Sequence, residues 1–168
     1  MNKSRVFNVL ALLIGLTNFI WMALPVALLS KTTCGTYGCN TGDGDAMANF
    51  YQYAFGQNGA NAIIVLAISF VMMVIGLILT FIALFGERYV YGMSNWKIAL
   101  IVAASFFGVA SIFAYAGIPS IIDEAVKISS SSYYATATTI KFWCSGTTVP
   151  ALLDFCTLFC ILSVVLDR

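Results

Sequence analysis

The chain has 168 residues, 61% hydrophobic and 9% charged, with a formal net charge of +1, against about 45–50% and about 25% for a soluble domain. That balance selects lipid as the solvent, and a near-neutral chain without a basic run excludes nucleic acid as a partner. The sequence contains no histidine, no Gly-rich phosphate loop and no paired intramembrane acids, so it reads as a non-enzyme without cofactor or metal.

Four apolar runs, 6–29, 60–85, 98–118 and 149–166, approach or exceed the ~20 residues a helix needs to cross a bilayer. The predicted fold class is an all-α membrane protein, a single domain over 1–168, built as a four-transmembrane-helix bundle with outer loops at 30–59 and 119–148. The first run follows Lys3 and Arg5 but outlasts the roughly 7–15 residues of a signal-peptide core, so it reads as a retained span. Lys3, Arg5, Arg88, Lys97 and Arg168 fall on one side of the four runs, and Lys31, Lys127 and Lys141 on the other. The richer side is the cytoplasmic one by the positive-inside rule, which puts both termini inside. Asn8 and Asn18 in the first run read as interhelical hydrogen bonders.

The first outer loop holds "KTTCGTYGCNTGDGD". Cys34 and Cys39 lie outside, where oxidising conditions favour a disulfide, and Gly35 and Gly38 supply the turn that a short ring requires. Cys144 is left over and could instead pair with either thiol. A zinc site is disfavoured without histidine. Tyr51, Tyr53, Tyr89, Tyr91, Trp96, Tyr133, Tyr134, Phe142 and Trp143 collect at the expected interfaces as an aromatic belt.

The short link "GERYVYGMSNWK" makes the second and third spans antiparallel neighbours. Small residues mark the third: Ala103, Ala110, Ala114 and Gly117 on one stripe, Ala104, Gly108 and Ser111 on the next, so it is expected as the central helix. After Pro119, "SIIDEAVKI" keeps helical amphipathic spacing, which extends this helix outward beyond the membrane. The segment "ISSSSYYATATT" then allows a short strand, a small β element in the outer loops. Thr36 and Tyr37 at the tip of the stapled loop, with Ile121, Ile122 and Val126 on the projecting helix, are the expected protein-binding surface.

The fourth span carries Asp154, Cys156 and Cys160. The cysteines are one turn apart and read as buried hydrophobes. Asp154 is expected about one turn below the outer end, satisfied by Lys141, Asn61 or a loop amide; the rival role is an ion pathway.

Inside termini, a first span closing on Ala23-Leu24-Pro25, a stapled first loop, a short inner link, a projecting third span and a shorter second loop together resemble the claudin superfamily of tetraspan proteins, which includes peripheral myelin protein, calcium-channel gamma subunits and amastins. Cys34 and Cys39 match the family's first-loop cysteines in place; their spacing is shorter, and the Gly-Leu-Trp segment ahead of them has no counterpart. The resemblance implies a protein that associates laterally or face to face, as a junction or adhesion component or an accessory subunit. Its partners would be membrane lipids and other membrane proteins or copies of itself, in the plasma membrane ahead of an organellar one. The alternatives are a small channel or transporter using Asp154, and a structural subunit of an organellar complex.

Overall fold

A computed structural model of the chain describes residues 3–35, 38–42, 45–86, 95–130, 137–142 and 145–166. In chain order the elements are α1 (Lys3–Met22), β1 (Ala27–Gly35), β2 (Gly38–Thr41), β3 (Asp45–Ala46), α2 (Phe50–Phe55), α3 (Ile64–Gly86), α4 (Asn95–Ala116), α5 (Ile118–Ser130), β4 (Ala137–Phe142) and α6 (Ser145–Val165). Four stretches are long and apolar enough to cross a membrane: Ser4–Met22, Ile64–Phe85, Trp96–Glu124 and Gly146–Val165.

These helices form a ring in which α3 packs on α4, α4 on α6, α6 on α1, and α1 on α3. The third span is therefore a corner of the ring and not its centre, although it packs more extensively on its neighbours than any other span, as its small residues led one to expect. Its small residues admit its neighbours closely. Ala103 and Ala110 are 0% exposed, and a Cβ on Gly117 would collide with Leu66. Met73, Leu77, Phe107, Leu153, Cys156 and Cys160 fill the interior. Short polar links stitch the helices where lipid offers no competing partner: Ser69 Oγ donates to Ala110 O at 2.6 Å, and Ser163 Oγ to Ser4 O at 2.8 Å.

The first apolar run does not remain helical to residue 29. Pro25 has no N–H to continue a helix, the Asn49 amide takes Ala23 O at 3.2 Å, and residues 27–29 enter β1 with Ala27 and Leu29 buried. Apolar content there serves a strand packed on the bundle, which hydropathy alone does not separate from the end of a span. The second apolar run also starts late, at Ile64, after the left-handed turn residues Gly56, Asn58 and Gly59.

The sheet has four strands, with β2, β3 and β4 each antiparallel to β1. β1 takes β2 and β3 from its own loop, and along Ala27–Thr32 it pairs with β4 from the second loop. Both inter-span loops are thereby knitted into one layer at one end of the bundle. α5 follows α4 almost without a break, Ile121 N reaching Gly117 O at 3.2 Å. Pro119 sits in its first turn, where a missing N–H leaves nothing unpaired.

Candidate functional site

Asp154 is the acid within the described spans that sequence reasoning singled out, and its surroundings differ from expectation. Because α6 begins at Ser145, the residue lies about two and a half turns inside the helix at 3.6 residues per turn, not one turn from its outer end. Among the described residues its partners are neither Asn61 nor a loop amide, and the Lys141 side chain lies outside the described ones. Ser111 Oγ donates to Oδ1 at 2.6 Å and Tyr115 Oη to Oδ2 at 3.4 Å. Both hydroxyls stand on α4, one helical turn apart, where i and i+4 share a face. Ser111, read as a packing residue, thus also holds the carboxylate, whereas Tyr115 was missed. The i, i+4 hydroxyl pair is a signal that could have found it.

Asp154 is exposed on the outside of the bundle, at the seam between α4 and α6. An acid at the centre of a lipid-facing helix costs about 2.5–3.5 kcal/mol on insertion scales. The same seam opens, one turn along, into an apolar groove of about 640 Å³. Ala104 and Gly108 line it from α4, and Thr157 and Ile161 from α6. A Cβ added to Gly108 would meet Thr157 only at 3.8 Å, so this glycine opens a groove and does not close a helix contact.

Asn18 is fully buried and donates to Val149 O at 3.3 Å and to Met73 Sδ at 3.7 Å, tying α1 to α6 and α3. Its Oδ1 and that of buried Asn8 have no hydrogen-bond partner among the described residues. Cys156 and Cys160 are free and buried, and Cys156 Sγ reaches Ala11 O at 3.5 Å. Among the described residues no group of three or more His, Cys, Asp or Glu side chains could hold a metal.

Of the expected protein-binding surface, Ile121 is displaced: at 2% exposed it plugs the space beneath the sheet, close to Val26, Leu66 and Pro150. Ile122 and Val126 are exposed, at 36% and 53%, beside exposed Asp123 and Lys127. A polar groove of about 530 Å³ runs between this helix and residues 61–65, and the Asn61 backbone N–H donates to Glu124. Thr36, Tyr37 and Cys144 lie outside the described residues. Cys34 and Cys39 are direct cross-strand partners in the β1–β2 ladder.

The belt expectation fails at Tyr53, which is 1% exposed on α2, a helix not anticipated. Burial, reinforced by the charge of Glu124, pushes its phenol above the ordinary tyrosine range. Tyr51 donates its hydroxyl to Phe19 O at 2.9 Å and meets Phe70 edge-on.

The chain matches no protein-family model, no curated protein and no solved structure.

Proposed function

We propose that this multi-pass membrane protein is not an enzyme and works by protein association, with the exposed flank of α5 as its docking surface. The observation that carries the reading is the exposure of Ile122 and Val126 beside Asp123 and Lys127 on α5, at and beyond the last residues of the third apolar stretch. Apolar residues rimmed by charge outside the bilayer have the character of an interface. The bundle interior supports the same choice, since Met73, Phe107, Leu153 and Cys156 fill it at 0% exposure. Asp154 stands on the outer seam and not among these residues, which weighs against an ion pathway through the bundle.

Partners on this reading are other membrane proteins or copies of the chain, in a junction, adhesion or accessory-subunit role of the kind the claudin resemblance implies, with the plasma membrane as the setting. A Cys34–Cys39 disulfide rigidifies the hairpin at the sheet's edge. It is supported by the direct pairing of the two positions, since opposite residues in an antiparallel ladder have Cα atoms about 4.5–5.5 Å apart, within disulfide reach. The test is Ile122→Asp with Val126→Asp in the full chain. Cross-linking and sedimentation should show loss of the assembled species with thermal stability unchanged. Assembly that persists in the double variant sinks the reading.

A further inference from the structure

An ionisable side chain within a span ordinarily faces a bundle interior or a wet cavity, or pairs with an opposite charge. Asp154 is exposed at mid-span, nine residues from Ser145 and eleven from Val165, or about 13 and 16 Å along the helix at 1.5 Å per residue. Ser111 and Tyr115 fix both carboxylate oxygens, but they are neutral donors and bring no compensating charge. Beside this group the α4–α6 seam is scooped out by Ala104 and Gly108. The groove lining on α4 runs from Ile101 to Ile112, about 16 Å of helix, which is the length of a helix-to-helix contact and not of a point pocket.

We infer that this groove seats one transmembrane helix of a partner protein, a helix carrying a lysine or arginine at mid-span whose cation pairs with Asp154. Three observations select that occupant. The exposed carboxylate demands a cation, and hydrocarbon supplies none. The cation must arrive at depth, because a lipid amine lies at headgroup level, about 15 Å from the middle of a ~30 Å apolar layer, whereas Asp154 lies near the midpoint of its helix. A second copy of this chain does not supply the charge at that depth: no Lys or Arg occurs within 64–85 or 146–165, and the basic residues of the first and third spans, Lys3, Arg5 and Lys97, stand at their very starts. The small residues on the groove's floor let the partner backbone approach. Ser111 and Tyr115 act as positioning residues that hold the carboxylate toward the seam. The inference extends the association reading to a second surface, separate from α5.

The experiment uses the full chain in lipid vesicles and two synthetic leucine–alanine transmembrane peptides of about 23 residues, one with a central lysine and one with leucine there. Association is read by energy transfer. The lysine peptide should bind at least tenfold more tightly than the leucine peptide, and Asp154→Asn should remove that difference. Gly108→Leu, or Ser105→Phe on the exposed wall, should block capture with the acid still present, and thermal unfolding certifies that each variant is folded. Equal affinity of the two peptides, or full capture by Asp154→Asn, overturns the proposal. So does either groove variant abolishing self-association, or releasing a co-purifying lipid detected by mass spectrometry, since the occupant would then be a second copy or a lipid. Ile122→Asp with Val126→Asp should leave peptide capture intact, so the α5 surface and this one fail separately.

Discussion

Two glycines in the same bundle meet different surroundings, and the difference sets what each tolerates. A Cβ on Gly76 would meet the Phe107 ring at 3.0–3.1 Å, and Phe107 is fully buried. Gly76→Ala should therefore cost about 1–3 kcal/mol through overpacking. Gly108→Ala, whose new methyl meets Thr157 at ordinary contact distance, should stay within about 0.5 kcal/mol. Thermal unfolding in detergent compares them, and an equal loss in both would mean that the groove at Gly108 is closed. Sequence reading chose Gly108 and passed over Gly76, because small residues at helical spacing announce close packing without naming the neighbour. What decides is the large ring on the facing helix, and no pattern along one helix reveals it. Tyr53 makes a residue-scale prediction of another kind. Its phenol is raised by burial and by Glu124, so the folded state holds its proton longer than the unfolded state does. Its contribution is complete below about pH 10, the unperturbed value, and is lost as pH climbs past it toward the raised folded value. Tyr53→Phe should flatten the alkaline loss of stability. An unchanged slope between about pH 10 and 11 removes Tyr53 as its source.

At the scale of elements, what was legible followed periodicity and what was not depended on partners. The four spans and the helix past Pro119 announce themselves by length and by a 3.6-residue rhythm. β1 does not, because Ala27, Leu28 and Leu29 merely prolong an apolar run; they become a strand because β4, more than a hundred residues on, pairs with them. The small helix α2 did carry a local signal in Asn49-Phe50-Tyr51-Gln52, a capping box. Asn49 Oδ1 accepts the Gln52 N–H at 2.9 Å, and Gln52 Oε1 accepts the Asn49 N–H at 2.9 Å. Asn49→Ala also loses the bond to Ala23 O, so it should cost about 1 kcal/mol or somewhat more. It should also speed amide exchange in α2 and at the end of α1 together. Faster exchange in α2 alone would show that Asn49 caps without tying the two helices. For the site, Asp154 was legible as the one acid in its run, but its depth and its exposure on the seam were not. Both depend on where α6 begins and on which face α4 covers.

For the whole molecule, the sheet turns a charge argument into a geometric one. Since β1 pairs with strands from both inter-span loops, the two loops lie at the same end of the bundle, and an even number of spans brings both chain ends to the other. Ser4 meeting Ser163 at that far end, α1 against α6, agrees with this arrangement. Which end faces the cytoplasm then rests on the basic residues alone, and that bias is modest: five against three. Glycosylation decides it. The native Asn2-Lys3-Ser4 is an acceptor triplet at the expected cytoplasmic end. Gly42→Ser completes a second acceptor triplet that begins at Asn40, at the exposed end of β2. In a secretory-pathway host Asn40 of the variant should acquire a glycan while Asn2 stays bare. The opposite pattern would reverse the molecule in the membrane, and with it the proposed Cys34–Cys39 disulfide, because the hairpin would then face a reducing compartment. Mass spectrometry of the same unreduced sample reads both answers. A glycan on Asn40 with two free thiols would separate the disulfide from the orientation, leaving the β1–β2 hairpin held by its backbone ladder alone.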